Sequence, residues 1–445
     1  MSDDKKVINI NKKEADKLVE KENAPSPFER NNSGVLKATS IKNLVLILNG
    51  DRNLQNLFKF NEFTQEVDVV RDAKLRTNLG TLDIEKGQFT DQVTNSIELY
   101  IEASPNYDGT AFKNNLIDQA VMNVAHMNSY NPVIDYMNHA YTHWDQKRRL
   151  DKLFPEFLGA ADDETNRLIT RLWFLGAVAK IYDPTTKFDF VLDIVGGQGV
   201  GKTSLLQNIA PLGLYTDQFN SFTNKDDFEV MKNAVIVNDD EMTASNDAKF
   251  EEVKKFITMQ VFEYRKSYAR KAERFQKKFV MARTTNEIRH LKDRSGDRRF
   301  ISIYCDKRRQ KKNPVTDLTP EFVEQLWGEA VWLFKISKDP FLLSPKQDEL
   351  LKENREQFRY TSGLEDELID TLENKFKDQD FISNNDLSFA MFADENALNK
   401  NNKDTRDIRY FMEHLGYRVG ARKVINGKQT RGFAKNSQLP SKNRQ

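Results

Sequence analysis

One stretch of the sequence, FVLDIVGGQGVGKT at residues 190–203, decides the fold. Its apolar first half predicts a strand, and the residues that follow Thr203 predict a helix. Residues 196–203 fit the pattern G-x-x-x-x-G-K-[ST] in full. A strand, a glycine-rich loop and a helix in this order are typical of a loop that wraps phosphate groups with its backbone N–H groups. The stretch therefore predicts an α/β core with a nucleotide site.

The residue types of this loop suit the phosphates of ATP. Glycines let the backbone approach closely, Lys202 would neutralise charge on the β- and γ-phosphates, and the Thr203 hydroxyl would reach Mg²⁺. The sequence thus predicts ATP and Mg²⁺ as cofactors. The predicted phosphate-binding residues are Gly196, Gly197, Gln198, Gly199, Val200, Gly201, Lys202, Thr203 and Ser204.

A second apolar run, residues 234–237, leads into the acidic sequence at 238–241. A strand that ends in acids is typical of a Walker B segment, in which one Asp holds Mg²⁺ and a following Glu polarises the attacking water. We assign these roles to Asp240 and Glu241. Asp239 stays an alternative metal residue, because the sequence alone does not define where the strand ends.

Polar groups also flank two later strands. Asn286 follows the strand-like run 279–282 and would lie beside the γ-phosphate, between the two Walker strands. Arg298 and Arg299 stand directly before the run 300–304. An arginine supplied by a neighbouring subunit stabilises the charge that develops in phosphoryl transfer. One of these two arginines is predicted to act in that way, and the sequence does not separate them.

Composition narrows the class of protein. The chain has 445 residues, of which 38% are hydrophobic and 30% charged, and its mean hydropathy is −0.69. The longest apolar run, residues 172–179, is far shorter than the roughly 20 residues that cross a bilayer. The single cysteine, Cys305, excludes an internal disulfide and a multi-cysteine metal site. We therefore expect no membrane segment, a cytoplasmic location and oxygen ligands for any metal.

The net charge of +1 conceals an asymmetry along the chain. Residues 401–445 carry 11 Lys and Arg against 3 Asp and Glu, which leaves 57 against 64 in the other 400 residues. A basic end favours an anionic partner. We predict that this partner is nucleic acid and not a membrane surface, because no lipidation signal accompanies the basic residues.

Patterning divides the chain into seven segments. Short apolar runs and turn signals predict a small α+β or mostly helical region after the first residues, and apolar residues at every third or fourth position then predict a helical collar. The division is a flexible arm at 1–33, an amino-terminal domain at 34–110, the collar at 111–185, an ATPase domain at 186–345, a charged linker at 346–362, a winged-helix domain at 363–435 and a tail at 436–445.

The last domain is predicted to contain three helices followed by a basic hairpin. The helices are expected at 364–376, 384–392 and 404–415, and the strands at 417–419 and 423–433, with a turn at Asn426-Gly427. This order is typical of a winged helix-turn-helix that binds duplex DNA. The predicted DNA contacts are Arg406 and Arg409 on the third helix and Arg422, Lys423, Lys428 and Arg431 on the wing. A small basic lid or a protein-docking domain is the alternative.

The ordered motifs as a whole resemble those of the virulence-associated protein E family, superfamily-3-like AAA+ ATPases of phages and pathogenicity islands. The motifs are Gly-Gly-Gln-Gly-Val-Gly-Lys-Thr from 196, Asn-Asp-Asp-Glu from 238, Thr-Thr-Asn from 284 and Gly-Asp-Arg-Arg-Phe from 296. The likeness covers roughly residues 100–345 and includes Gln-Leu-Trp-Gly-Glu-Ala from 325. Asn238 departs from the family pattern, which more often has an acid at this position.

The resemblance implies a hexameric ring of this chain that hydrolyses ATP at its subunit interfaces and acts as the replicative DNA helicase or initiator of a mobile element. It also implies a basic hairpin in the ring channel, where residues 263–299 carry 13 Lys and Arg against 5 Asp and Glu. By this analogy Lys266, Arg270 and Lys271 would contact single-stranded DNA, and a solvated charged surface is the alternative. Residues 1–100 show no pattern for primer synthesis, so any primase partner would be a separate protein.

Two other functions fit the same motifs. An initiator could bind and melt or mark an origin, with ATP as an assembly switch and without processive unwinding. A non-DNA remodelling ATPase would hydrolyse ATP irrespective of DNA and would use its basic end to bind protein. The basic segments favour DNA, and the polarity of translocation stays open.

Overall fold

The computed structural model describes residues 27–264, 272–291, 297–360, 363–400, 402–425 and 427–435. Its amino-terminal part packs helices against short antiparallel strands. The elements are α1 (Ile41–Gly50), β1 (Phe58–Asn61), β2 (Glu66–Val69), β3 (Ala73–Thr77), β4 (Gly80–Ile84), β5 (Gly87–Gln88), α2 (Asp91–Glu102) and α3 (Asn114–Met127). β1, β2 and β5 form one sheet, and β3 pairs with β4. Of the two interpretations of this region, α+β agrees with the structure.

One apolar core joins all three helices of this part. Ile117, Val121 and Val124 on α3 are buried in it together with Leu44 of α1 and Ile97 of α2. α3 therefore belongs to the same core as the elements before it, toward which it turns its apolar face. The sequence division instead places a boundary near residue 111, where it begins the collar.

A long buried helix supports the centre of the molecule. The helices before the central sheet are α4 (Pro132–Thr142), α5 (Leu153–Leu158) and α6 (Glu164–Tyr182). The longest apolar run of the sequence lies within α6, where Trp173 is fully buried and its indole N–H donates to the Met281 carbonyl at 3.0 Å. Among the described residues, no helix combines the length and the apolar character that crossing a bilayer requires.

A five-stranded parallel sheet forms the core of the next part, and it confirms the predicted α/β class. The elements are β6 (Val191–Gly196), α7 (Lys202–Ile209), β7 (Tyr215–Thr216), α8 (Lys225–Met231), β8 (Ile236–Asp239), α9 (Thr243–Asp247), α10 (Phe250–Thr258), β9 (Val261–Tyr264), β10 (Glu273–Gln276), β11 (Val280–Thr285) and β12 (Phe300–Cys305). The strand order is β12-β6-β11-β8-β7, and every pairing is parallel. The four predicted strands are present, whereas the two-residue β7 is too short to leave a sequence pattern.

Parallel pairing brings the carboxyl ends of the strands to one edge of the sheet, here called the carboxyl edge. β11 lies between β6 and β8, with Thr285 opposite Val195 and Arg283 opposite Asp239. All six residues of β6 are buried, because apolar clusters pack on both faces of the sheet. The loop that follows β6 therefore lies beside the residues that follow β8 and β11.

The charged stretch predicted to be a linker is a docked helix. α11 (Pro320–Ile336) and α12 (Pro345–Gln357) follow the sheet. Leu351 of α12 is buried, and the Asn354 side-chain amide pairs with both backbone groups of Ser302 on β12. Buried residues recur at 351, 354, 355 and 358, which is helical spacing hidden among charged residues.

The carboxy-terminal part combines three helices with a three-stranded antiparallel sheet. Its elements are α13 (Gly363–Lys375), β13 (Phe381–Ser383), α14 (Asn384–Phe392), α15 (Lys403–His414), β14 (Tyr417–Ile425) and β15 (Lys428–Lys435). The strand order is β13-β15-β14, and apolar residues of all three helices share one core. The helices and the hairpin confirm the predicted elements, although β14 is longer than predicted and β13 is absent from the prediction.

Candidate nucleotide site and nucleic-acid surfaces

The glycine-rich loop leads from the end of β6 into α7. Gly196 lies so close to β12 that a Cβ atom there would stand 2.5 Å from the Cys305 carbonyl oxygen. Gly201 has a φ of +91°, and a Cβ atom there would stand 2.4 Å from a side-chain carbon of Pro314. Both positions require glycine. The loop thus places the amino end of α7 at the carboxyl edge of the sheet.

Lys202, the first residue of α7, is buried at this loop. Its ammonium donates to the carbonyl oxygens of Gly196 at 2.7 Å and Gly197 at 3.3 Å, and to the side-chain oxygen of Asn286 at 2.9 Å. Burial lowers the pKa of the Lys202 ammonium from its ordinary value. Three oxygen atoms therefore hold a positive charge at the carboxyl edge.

Asp240, rather than Asp239, lies beside the loop. One carboxylate oxygen of Asp240 accepts hydrogen bonds from the hydroxyls of Thr203 at 2.6 Å and Thr284 at 2.7 Å. The Asp239 carboxylate instead accepts two consecutive backbone N–H groups at the start of α9, both at 2.9 Å. Burial raises the pKa of Asp239. The alternative metal residue of the sequence analysis is thus a helix cap, and Asp240 is the acid that the structure brings to Thr203.

Asn286 joins the loop lysine to the second predicted acid. Its side-chain oxygen accepts from Lys202, and its NH₂ group donates to the two carboxylate oxygens of Glu241 at 3.1 and 3.3 Å. Glu241 and Met242 have left-handed φ angles of +53° and +52°, each of which costs about 1–3 kcal/mol. The Glu241 N–H donates to the Thr284 hydroxyl at 3.0 Å, so Thr284 contacts both acids. The sequence analysis gave Thr284 no role, although it belongs to the motif that contains Asn286.

A second lysine lies near the loop and was missed by the sequence analysis. Lys307 is exposed, and its ammonium lies 3.7 Å from the position that a Cβ atom would take at Gly199. It belongs to the Lys-Arg-Arg run at 307–309, directly after β12. This run is the sequence signal that could have predicted a basic residue near the loop. A strand parallel to β6 ends at the same edge of the sheet as β6, so the residues that follow it lie near the loop.

A buried ion cluster links the two central strands beneath the site. Arg283 of β11 donates to both carboxylate oxygens of Asp193 on β6, at 2.7 and 2.6 Å, and His290 lies 2.8 Å from the same carboxylate. Burial alone would raise the pKa of Asp193, but the Arg283 charge and the hydrogen bonds hold it below its ordinary value. Removing one partner would leave an uncompensated charge in the core, at a cost of about 3–5 kcal/mol.

Arg298 and Arg299 lie at the opposite edge of the sheet, here called the amino edge. They directly precede β12, whose first residue Phe300 pairs with Val191, the first residue of β6. The loop begins at the other end of β6, which is six residues long. The five residue-to-residue steps along β6 correspond to a distance of about 17 Å between the first residue of the strand and the start of the loop. The two arginines line an open pocket of about 280 Å³ together with Asp189. Within one chain, the structure therefore separates the predicted arginine pair from the loop.

The hairpin that the resemblance implied is visible at its base. β9 and β10 pair antiparallel, with Tyr264 opposite Glu273. The predicted single-stranded DNA contacts Lys266, Arg270 and Lys271 lie outside the described residues.

The charge count of residues 263–299 overstates the basic surface of this segment. Lys277 is buried, and its ammonium donates to the carbonyl oxygens of Phe256 at 3.3 Å and Ile257 at 2.9 Å. Burial lowers the pKa of Lys277 to about 7. Arg283 is buried in the ion cluster described above. These two side chains do not form part of a DNA-binding surface.

The two arginines predicted to share a face of α15 have different environments. Arg406 is exposed, whereas Arg409 is partly buried and its guanidinium donates to the Leu398 carbonyl at 3.2 Å. Lys403 and Tyr410 are exposed at helical spacing from Arg406. The exposed residues of α15 include Lys403, Arg406 and Tyr410 and the acidic Asp404 and Glu413. Of these, the sequence analysis named Arg406.

The predicted wing residues all lie on the β14–β15 hairpin. Arg422 stands directly opposite Arg431, so the two side chains share one face of the sheet. Both arginines are exposed, as are Lys423 and Lys428. This hairpin thus presents four basic side chains next to α15 in the chain.

Known proteins similar to this chain indicate its family. A family model described as the virulence-associated protein E-like domain matches residues 137–360, which is 224 of the 445 residues. Among solved structures, the A-form apo structure of the NrS-1 C-terminal region is 14% identical, with 85% of this chain and 96% of that chain covered and a TM-score of 0.42. Another apo structure of that region is 13% identical over the same shares, with a TM-score of 0.41. No curated protein matches the chain. The chain belongs to the virulence-associated protein E-like family.

Proposed function

We propose that the protein is a replication ATPase of a mobile genetic element. In this proposal, an AAA+ P-loop core hydrolyses ATP at the subunit interfaces of a ring and uses the energy to translocate on DNA and unwind it. Membership of the virulence-associated protein E-like family supports a role in replication. The single observation that carries the proposal is a set of side chains from three strand ends that hydrogen bonds join at the carboxyl edge. They are Lys202, Thr203, Asp240, Glu241 and Asn286.

The strand order supports an AAA+ core. β11, which leads to Asn286, lies between the loop strand β6 and the acid strand β8. This order puts an amide between the loop lysine and the carboxylates, where it can contact the terminal phosphate. In open α/β sheets, ligands bind outside the carboxyl ends of the strands. The phosphates of ATP would therefore lie over the carboxyl edge.

Thr203 and Asp240 fit the ligand preference of Mg²⁺. Their hydroxyl and carboxylate oxygens lie 2.6 Å apart, and oxygen donors of this kind bind Mg²⁺ in nucleotide sites. When bound, Mg²⁺ would neutralise charge on the β- and γ-phosphates. Lys202 would place a further positive charge at the same phosphates. Glu241, which Asn286 holds through both carboxylate oxygens, would polarise the attacking water.

The arginines would come from a neighbouring subunit. Arg298 and Arg299 lie at the amino edge of their own sheet, about 17 Å from the level of the loop on the strand spacing used above. A head-to-tail contact between copies would bring the amino edge of one copy to the carboxyl edge of the next, and repetition of this contact can close a ring. An arginine that completes a site in this way contributes about 10³ to 10⁵ in rate.

The basic β14–β15 hairpin and the exposed Lys403 and Arg406 of α15 support DNA as the partner. We interpret the carboxy-terminal part as a winged helix-turn-helix, with the exposed face of α15 toward a groove of duplex DNA and the β14–β15 hairpin toward phosphates. The β9–β10 hairpin would lead into the ring channel and contact single-stranded DNA. Contact of arginine with phosphate is a general mode of such binding, and Arg406 is exposed on α15.

The test is strand displacement on a forked duplex with Mg-ATP, together with ATP hydrolysis measured with and without single-stranded DNA. We expect DNA to stimulate hydrolysis and both activities to be lost in Lys202→Ala and in Arg298→Ala/Arg299→Ala. Lys352→Ala, an exposed lysine of α12, is the matched control and should retain both activities. DNA-stimulated hydrolysis without strand displacement would favour an initiator that uses ATP as a switch. Hydrolysis indifferent to DNA would favour the remodelling ATPase.

A further inference from the structure

Two histidines and a glutamate meet on the surface where α4 ends beside α11. They are His139, His143 and Glu324, and one potential ligand atom from each lies within 4.8 Å of the other two. We propose that these side chains bind a divalent transition-metal ion of the zinc type. This site is separate from the nucleotide site, and the proposal does not depend on the proposed function.

The ligand set has the chemistry that zinc takes in proteins. Two imidazole nitrogens and one carboxylate oxygen are a known three-residue zinc set, with a fourth position left for water. His139 and His143 are four residues apart, so both side chains lie on the same face of the helix end. Glu324 comes from a different helix, α11, and its carboxylate lies 3.3 Å from Nδ1 of His139. Mg²⁺ would not compete well for such a set, because it prefers oxygen donors.

The ring of His143 is already oriented as a ligand. Its Nδ1 lies 2.9 Å from the backbone carbonyl oxygen of His139. A carbonyl oxygen only accepts hydrogen bonds, so Nδ1 carries the proton and Nε2 of the neutral ring keeps its lone pair. Metal-binding histidines characteristically donate their other N–H to a carbonyl or a carboxylate in this way.

The two helices hold the donor atoms at a defined separation. The Gln325 side chain, next to Glu324, donates to the His143 carbonyl at 2.9 Å and accepts the Asp145 N–H at 2.7 Å. Nearby, a Cβ atom at Gly328 would stand 2.4 Å from the Ala140 carbonyl oxygen, so α4 and α11 touch through their backbones. The scaffold around the three ligands is therefore fixed on both helices.

Only side-chain rotation is needed to form the site. A tetrahedral ion with bonds of about 2.1 Å places neighbouring donor atoms about 3.4 Å apart, which is less than the present spread of up to 4.8 Å. The His139 side chain is 57% exposed and that of Glu324 is 28% exposed, so an ion has access from solvent. The imidazole rings of His139 and His143 are stacked with centroids 4.0 Å apart, and turning the His139 ring about its side-chain bonds can bring its nitrogen toward that of His143 while the His143 Nδ1 hydrogen bond is kept.

The sequence analysis expected only oxygen ligands for metals, because it considered cysteine as the alternative. The signal for a nitrogen site is the His-x-x-x-His spacing within residues 139–143, but the glutamate is 181 positions further along the chain. Only the contact between α4 and α11 brings the third ligand to the pair.

The experiment is a calorimetric titration of Zn²⁺ into the full-length, tag-free, nucleotide-free protein in the presence of excess Mg²⁺. We expect one saturable site per chain, weakened about tenfold or more in His139→Ala, His143→Ala and Glu324→Gln. The matched controls are His126→Ala, an exposed histidine on α3, and Glu321→Gln, one turn earlier on α11; both should bind as the wild type does. Zn²⁺ should also raise the melting temperature of the wild type, because an ion that bridges two helices binds the native state preferentially.

Three outcomes would overturn the proposal: the absence of a saturable Zn²⁺ site, equal affinity in all three ligand variants and the wild type, or displacement of Zn²⁺ by Mg²⁺. A folding defect is recognised from melting curves recorded without metal. The curves should coincide for the two histidine variants because those side chains are exposed, and for Glu324→Gln because glutamine keeps the size of a side chain that is 28% exposed. If one variant unfolds at a lower temperature than the wild type, the visible absorption spectrum of Co²⁺-loaded Glu324→Gln is compared with that of the Co²⁺-loaded wild type. The proposal requires that the visible bands of the Co²⁺-loaded wild type lose intensity or shift in that variant.

Discussion

The two edges of the central sheet differ in how their polar side chains are arranged within one chain. At the carboxyl edge, hydrogen bonds connect Lys202, Asn286 and Glu241 into one chain of contacts. At the amino edge, Arg298 and Arg299 line an open pocket and stand a full strand length away from that set. The loop residues and the arginine pair therefore lie on opposite sides of the same body, and in the proposed function they would be the phosphate-binding half and the arginine half of a site. A site that contains both halves would need two copies of the chain.

The largest effect is expected from the amino edge. Arg298→Ala/Arg299→Ala should lower kcat for ATP hydrolysis about 10³-fold or more, whereas the affinity of each chain for nucleotide should change little. The reason is that, in the proposed arrangement, the arginines would contact only the phosphates bound by the neighbouring copy. Steady-state hydrolysis and equilibrium binding of a fluorescent nucleotide measure the two quantities, and Arg76→Ala, an exposed arginine of β3, is the control. An equal loss of affinity and of kcat would show that the two edges are not separate.

At the carboxyl edge, the two neighbouring aspartates should respond differently. Asp240→Asn should raise the Mg²⁺ concentration needed for half-maximal hydrolysis about tenfold or more, because it weakens the oxygen pair formed with Thr203. Asp239→Asn should leave that requirement unchanged and lower the free energy of unfolding by about 1–3 kcal/mol, because it breaks the cap of α9. Mg²⁺ titration measures the first effect and urea unfolding the second. A higher Mg²⁺ requirement in Asp239→Asn, with loss of stability in Asp240→Asn, would make Asp239 the metal residue.

The sequence predicted the carboxyl edge far better than its surroundings, for a physical reason. The loop, the acids and Asn286 are short motifs at strand ends, and parallel pairing brings strand ends together whatever the connections are. Assigning Asp239 and Asp240 their separate roles required the backbone turn at Glu241, whose left-handed φ of +53° no composition rule reveals. The helix at 345–357 was mistaken for a linker because burying Asn354 against Ser302 is a tertiary effect. Charge counting likewise included Lys277 and Arg283, which the core buries.

A smaller effect is expected at the carboxy-terminal part, where the two predicted DNA contacts on α15 differ in exposure: Arg406 is exposed, and Arg409 is partly buried and bonded to a backbone carbonyl. Arg406→Ala should weaken binding to duplex DNA and reduce the slope of log affinity against log salt by about 1. Arg409→Ala should mainly lower stability, because its guanidinium holds the Leu398 carbonyl. Fluorescence anisotropy at several salt concentrations measures the slopes. A larger slope change in Arg409→Ala would contradict this distinction.

The last effect is on stability and not on activity, and it is expected near the amino edge, where buried Lys277 has a pKa lowered to about 7 by burial. In the unfolded chain its ordinary pKa is 10.5, so between these values the unfolded state binds more protons than the native state. The free energy of unfolding should therefore rise as the pH is raised through this window. Urea unfolding should show the wild type gaining stability relative to Lys277→Met from about pH 7 to about pH 10. A difference that is independent of pH would mean that Lys277 has an ordinary pKa in the folded protein.

The most direct test of the central claim is a complementation experiment on the two edges. Lys202→Ala and Arg298→Ala/Arg299→Ala chains are mixed in equal amounts before ATP is added, and hydrolysis is compared with that of each variant alone. If each site takes its loop from one copy and its arginines from the next, random assembly creates intact sites at about one interface in four, so the mixture should recover about a quarter of the wild-type rate. A mixture no more active than the mean of the two variants, in rings shown to contain both, would contradict a shared site.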